Sequence, residues 1–138
     1  MRSSQGWPPR AGVQGRHVRS KLTDVVLVVD DDEAFRECTL QLLRSAGFDA
    51  FGAIDGFDGW AAVKRHRPKV AIVDIILPNM SGYELCDKVR LNPELAEALV
   101  VAVAGTGAEA EGSGFDGWLQ KPFGFEDLLK WVRHGIDR

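Results

Sequence analysis

Four consecutive acids, Asp30, Asp31, Asp32 and Glu33, follow the apolar stretch Val25–Val29, and one acid, Asp74, closes a second such stretch, Val70–Val73. Neighbouring carboxylates repel one another. Helix capping and the positive end of a helix dipole explain about two of the four and leave the others without a structural reason. Asp74 alone reads equally well as a strand-terminal residue capping a turn. A carboxylate after so apolar a run is costly, however, unless it is solvated, paired or metal-bound. Lys121, in the segment LQKPF at 119–123, adds an ammonium after another apolar segment. Converging acids suit a hard divalent cation, Mg²⁺ above all. A metal, a fixed ammonium and one nucleophilic carboxylate together suit a phosphoryl group: cation and Lys121 would neutralise its oxygens while Asp74 attacks in line.

The elements that must position these residues alternate along the chain. Val25–Val29 and Val70–Asp74 are β-branched runs of the kind buried on both faces of a parallel sheet. Residues 48–53 predict a weaker edge strand, Leu99–Ala104 a fourth strand and Asp116–Gln120 a fifth. Between them lie helical signals. A helix after the acidic run carries Phe35, Cys38 and Leu42 inward, widened by Leu43 and Ala46 and ended by Gly47. Asp55 caps a helix that runs to about Arg67, with Phe57, Trp60, Ala61 and Val63 inward and Pro68 as its stop. Ser81 and Glu84 form a capping box for a helix over 82–91 that buries Leu85 and Val89. A last helix, 125–135, turns Phe125, Leu128, Leu129 and Val132 inward and exposes Trp131.

Strands alternating with helices predict an α/β fold, a doubly wound five-stranded parallel sheet with right-handed crossovers. The flavodoxin-like order 2-1-3-4-5 places the most apolar strands, the first and third, at the centre. Its switch point then lies between them and brings Asp30, Asp31 and Asp74 together. Three carboxylates crowded there require a cation. The Lys121–Pro122 bond is a candidate cis peptide that would aim the lysine into the same crevice, although base rates favour trans.

Composition excludes several classes. The chain of 138 residues is 45% apolar and 27% charged, ordinary for one soluble domain. No apolar run approaches the ~18 residues of a membrane helix, and no signal-peptide core follows the basic start. Cys38 and Cys86 match no metal or redox spacing and are expected to be reduced packing residues of a cytoplasmic protein. His17, His66 and His134 are scattered and form no cluster. Residues 1–23 hold five bases and no acid, a charge of +5, whereas the remainder carries 12 bases against 20 acids, or −8. That basic tail is expected to be disordered and an incidental or non-native leader, with nucleic-acid binding unlikely from five spread charges. Gly105, Gly107 and Ala110 satisfy the G-x-G-x-x-A dinucleotide pattern. The pattern follows the fourth strand rather than the first, however, and Gly112 and Gly114 break the helix it would need. A short, loose connection is the better reading.

LVVDDD at 27–32, VDIILPNMSGYEL at 73–85 with its D-x-x-x-P-x-x-x-G spacing, and LQKPF at 119–123 together resemble a response-regulator receiver domain, the phosphoacceptor module of two-component signalling. The resemblance covers 24–135, in the family's order and spacing. It implies Asp74 as phosphoacceptor and Asp30 and Asp31 as metal-site acids. The main-chain carbonyl of Ile76 becomes a further ligand and Lys121 the phosphate contact. Family precedent favours a cis bond before Pro122. It also implies a histidine kinase or phosphotransfer protein as phosphodonor, with an output partner that the sequence does not identify.

Two departures stand out. Ala104 occupies the strand-end position where the family usually has Thr or Ser, whose hydroxyl bonds the phosphoryl group, and Thr106 is the only nearby substitute. The interval between the fourth and fifth strands is too short and Gly-rich for the usual helix, so the fourth helix is expected to be one turn or absent. Trp118, three residues before Lys121, sits where an aromatic normally couples to the missing hydroxyl. The expected function is therefore a Mg²⁺-dependent, single-domain receiver over 24–138 that signals by protein contact, catalysing at most its own phosphorylation and dephosphorylation. The alternative is a pseudo-receiver whose contacts do not depend on phosphorylation. A Mg²⁺-dependent phosphatase ranks third, since the chain lacks a second D-x-D motif.

Overall fold

A computed structural model of the chain describes residues 24–105 and 113–137. The apolar runs form strands β1 (Val25–Val29), β2 (Asp49–Ala53), β3 (Val70–Asp74), β4 (Leu99–Ala104) and β5 (Gly117–Gln120). Helices α1 (Glu33–Ser45), α2 (Gly56–His66), α3 (Gly82–Leu91) and α4 (Phe125–Asp137) alternate with them. The strands pair in parallel in the order β2-β1-β3-β4-β5. This is the doubly wound flavodoxin-like sheet expected from the sequence. Among the described residues no helix lies between β4 and β5. Residues 106–112, where the shortened helix and Thr106 would fall, lie outside the described residues, as does the expected disorder of 1–23.

Because successive side chains in a strand point to opposite faces, the central strands divide the core in two. Val26, Val28, Ile72, Val101 and Val103 pack with Leu40 and Leu43 of α1 and Leu128 and Val132 of α4. Leu27, Val29, Ala71, Val73 and Val100 pack with Val63 of α2 and Leu85 and Val89 of α3.

Several expected helix faces are corrected. In α1, Asp32 caps the helix by accepting from the Phe35 amide. Thr39, Leu40 and Leu43 then meet the sheet, while Cys38, Leu42 and Ala46 are exposed. Phe35 stands at the margin of the buried face rather than at its centre, and the Thr39 hydroxyl is accommodated by donating to the Phe35 carbonyl at 2.8 Å. In α2 the inward residues are Gly56, Gly59 and Val63; Phe57 is 60% exposed and Ala61 is also outside. A Cβ on Gly56 would collide with the Met80 carbonyl, so only glycine allows this helix to lie so close to the loop after β3. Trp131 is half-buried, not exposed, because Gly117 opposite it leaves room for the indole ring. Strand β5 begins one residue later than expected, since Asp116 turns its carboxylate to the Val100 amide at 2.8 Å. Cys86 is buried, which pushes its thiol up to about 11.

One side chain organises the chain on either side of β4. Arg90, near the end of α3, donates to the carbonyls of Gly114, Ala96 and Ala98 at 3.0, 2.8 and 2.7 Å and pairs with Asp116 at 2.6 Å. A single guanidinium thus ties the 92–98 connector and the approach to β5 onto α3.

Candidate functional site

The site lies beyond the carboxyl ends of β1 and β3, at the switch point where the chain reverses its winding direction. Of the four clustered acids, Asp32 caps α1 and Glu33 occupies its first turn, where negative charge is favoured. The remaining two, Asp30 and Asp31, join Asp74. One carboxylate oxygen from each lies within 4.8 Å of the others. Asp30 is 1% exposed, Asp74 is half-buried and Asp31 is exposed.

Backbone bonds hold each acid in place. The Asp30 amide donates to the Ala53 carbonyl at 3.1 Å, its own carbonyl accepts from Arg36 Nη1 at 2.8 Å, and its Oδ1 accepts from the Asp32 amide at 2.9 Å. Asp74 Oδ1 accepts from the Ile76 amide at 2.9 Å. The loop after β3 leans on the turn before α2, where Asn79, at φ 71°, donates to Asp55 Oδ2 at 2.8 Å. Bonds from the Asp58 amide and then from Asn79 hold the Asp55 carboxyl below the usual range.

Lys121 reaches this cluster from the end of β5. Its Nζ is 3.1 Å from Asp30 Oδ2 and 3.4 Å from Asp74 Oδ2. The Lys121–Pro122 bond is cis. Burial works against the ammonium, but its bonds to Asp30 and the charges of Asp30 and Asp74 outweigh that and raise its pKa. Burial, together with the nearby Asp30 charge, pushes the Asp74 carboxyl up despite the Ile76 amide and Lys121. The arrangement therefore has more negative charge than one lysine neutralises.

The donor set fits a hard cation: all oxygen, carboxylate-rich and partly desolvated. The three oxygens lie within 4.8 Å of one another, so side-chain movements on the order of an ångström would bring all three onto one ion with ligands at ~2.1 Å.

Other expected residues occupy clear positions. Ile76 is 73% exposed in the loop after Asp74. Ala104 is 4% exposed, and its carbonyl accepts from the Lys121 amide at 3.2 Å. Its methyl group offers no hydrogen bond. Trp118 is opposite Ala102 in register and 48% exposed. Two neighbours of the site were not anticipated. Arg36 grips the Asp30 carbonyl, and the Phe35 ring lies 4.3 Å from Lys121 Nζ. No sequence signal links residues 35 and 121; only the fold brings them together.

Comparison with known proteins places this geometry. The family model described as the response regulator receiver domain matches residues 26–133. The chain is 35% identical over 113 residues to protein PilG of Pseudomonas aeruginosa, covering 78% of this chain and 84% of PilG. It is 33% identical over 115 residues to the DNA-binding response regulator MtrA of Mycobacterium tuberculosis, covering 82% of this chain but only half of MtrA. Among solved structures it superimposes on the chemotaxis response regulator CheY4 of Vibrio cholerae with a TM-score of 0.75 and 30% identity, covering 82% of this chain and 98% of CheY4. With the acids gathered beyond β1 and β3 and the lysine brought to them from β5, the chain belongs to the response regulator receiver domain family.

Proposed function

We propose that this domain accepts a phosphoryl group on Asp74 in a Mg²⁺-dependent reaction and signals through protein contacts that depend on it. One observation carries the reading: Asp30, Asp31 and Asp74 converge to within 4.8 Å while Lys121 bridges two of them. In the reaction, an Asp74 carboxylate oxygen forms a bond to phosphorus as the bond to the donor breaks. The donor is a phosphohistidine nitrogen of a histidine kinase or phosphotransfer protein, or an acyl phosphate oxygen. The leaving group keeps the electron pair and takes up a proton, and Asp74 becomes an acyl phosphate. Mg²⁺, held by Asp30, Asp31, Asp74 and the Ile76 carbonyl, would supply charge neutralisation for the phosphoryl oxygens. Lys121 would supply a second, fixed positive charge beside the same carboxylates.

The complete set of acids and the lysine counts against a phosphorylation-independent module. Ala104 makes the proposed response unusual rather than absent. Its methyl group replaces the hydroxyl that would reward a rearranged β4 end, so Trp118 is expected to stay in one orientation. Thr106 is the nearest substitute. The DNA binding named for MtrA is a property of that longer protein. Among the described residues no helix is long and apolar enough to cross a membrane.

Intact-mass measurement after incubation with acetyl phosphate and Mg²⁺ tests the reading. One added phosphoryl group that fails to form when a chelator is present from the start, and fails to form in Asp74→Asn, supports it. An unmodified mass at saturating donor and metal refutes it.

A further inference from the structure

Lys121 has three close partners, and two of them change in the proposed reaction. Asp30 Oδ2 and Asp74 Oδ2, at 3.1 and 3.4 Å, belong to the carboxylates that a metal and the incoming phosphoryl group would draw upon. The third partner is the ring of Phe35, whose centroid is 4.3 Å from Nζ. That distance is well inside the roughly 6 Å over which an aromatic face attracts an ammonium. The ring is itself fixed from two sides. The Phe35 amide donates to Asp32 Oδ1 at 3.1 Å in the α1 cap, and the ring meets Phe123 edge-on at 5.6 Å and 84°. Phe123 follows Pro122 directly, so α1 and the segment after β5 are clamped together around the lysine. Phe35 is a poor candidate for simple core filler, because it stands at the margin of the buried face of α1 and is only half-buried.

We propose that Phe35 is a positioning residue for Lys121, holding the ammonium over its aromatic face while the carboxylates turn to metal and phosphoryl group. The proposal rests on the phosphoacceptor reading and adds a residue to it. A ring attracts the cation whatever the charge state of the acids, so it keeps Lys121 in place when its ionic partners are withdrawn. Leucine fills much the same space without the negative ring face, which separates this role from packing.

The test compares wild type, Phe35→Leu, Phe35→Tyr and Lys121→Ala with acetyl phosphate as donor, so that no kinase contact is involved. At saturating Mg²⁺, Phe35→Leu is expected to slow phosphorylation about three- to fivefold, the equivalent of one partly exposed cation–π contact. Its Mg²⁺ affinity should stay within about twofold of wild type, and Phe35→Tyr should recover most of the lost rate. In metal-free protein, the Lys121 side-chain protons should be shifted upfield by the ring in wild type and Phe35→Tyr and return to ordinary values in Phe35→Leu. Equal rates in wild type and Phe35→Leu, with Lys121→Ala slow, would overturn the role of Phe35 and leave the phosphoacceptor reading intact. So would a Phe35→Tyr variant as slow as Phe35→Leu, or Lys121 resonances without a ring shift. If Lys121→Ala is as fast as wild type, Lys121 does not assist the transfer and the positioning role falls with it, whereas uptake of phosphate by none of the proteins would refute the phosphoacceptor reading itself.

Discussion

Replacing Lys121 with alanine probes the charge balance of the site in two opposite directions. Asp30 is 1% exposed; its Oδ1 accepts from the Asp32 amide, while Oδ2 is bonded by Lys121 at 3.1 Å. Removing the lysine leaves that oxygen of a buried carboxylate without its cation. Breaking a fully buried pair costs ~3–5 kcal/mol, but the Lys121 side chain is 35% exposed and water can reach the gap. A loss of ~2 kcal/mol is the reasonable expectation, close to the cost of one unsatisfied buried acceptor. In a domain of this size each kcal/mol shifts Tm by ~4 °C, so Lys121→Ala should melt ~8 °C lower in chelator. Metal should then recover part of the loss. An ion at a concentration tenfold above its Kd adds ~1.4 kcal/mol. Because the variant no longer has an ammonium competing for Asp30 and Asp74, its Mg²⁺-induced rise in Tm should exceed that of wild type. Calorimetry in chelator and in 1 to 10 mM Mg²⁺ (order-of-magnitude bounds for a weak site) reads both effects. The reasoning is refuted if Lys121→Ala matches wild type without metal, or if Mg²⁺ raises the two proteins equally.

Three further outcomes follow from the same geometry. Asp31→Asn removes the most exposed of the three acids and should abolish most of the Mg²⁺-induced rise in Tm while costing less than ~0.5 kcal/mol without metal; an unchanged rise would remove Asp31 from the site. Asp74→Asn should stabilise metal-free protein near neutral pH. The folded-state pKa of Asp74 is raised, so its contribution to stability is full below the unfolded value near 3.8 and is lost as pH rises through the raised value. The gain in the variant should therefore vanish below about pH 4, and a gain that persists there has another origin. Ala104→Thr restores a hydroxyl worth ~1.5–3 kcal/mol when bonded to a charged group. In NMR with beryllofluoride, a phosphoryl mimic, the Trp118 indole should move little in wild type and more in the variant. A large wild-type shift would contradict the role given to Ala104 and make Thr106 the first suspect.

The sheet and the acidic site were legible because their signals are local and one-dimensional. Valine-rich runs mark the central strands, and an acid after each of two such runs marks the ends at which ligands bind. The S-x-x-E box is present at Ser81 and Glu84 as the spacing predicts. Helix faces were less legible where glycine sets the packing. Hydrophobic periodicity assigns Phe57 inward because it is apolar, yet Gly56 and Gly59 make the contact and leave Phe57 in solvent. Trp131 is covered for the same reason, since its partner is Gly117, whose contribution is space. In α1 the apolar residues Phe35, Cys38 and Leu42 suggested one face, but Thr39, Leu40 and Leu43 are buried instead, and the Thr39 hydroxyl is satisfied by the Phe35 carbonyl. Contacts such as Lys121 over Phe35 or Arg90 with Asp116 join residues far apart in sequence and mixed in chemical type. No spacing rule announces them before the fold is known.

The central claim is that Asp74, among three converging acids, is the one that takes the phosphoryl group. Borohydride reduces an aspartyl phosphate to homoserine and leaves ordinary carboxylates untouched. Wild-type protein treated with acetyl phosphate and Mg²⁺, reduced with borohydride, digested and sequenced by tandem mass spectrometry should therefore carry homoserine at position 74 alone. Homoserine at position 30 or 31 instead, or at no position in fully donor- and metal-loaded protein, would contradict the account.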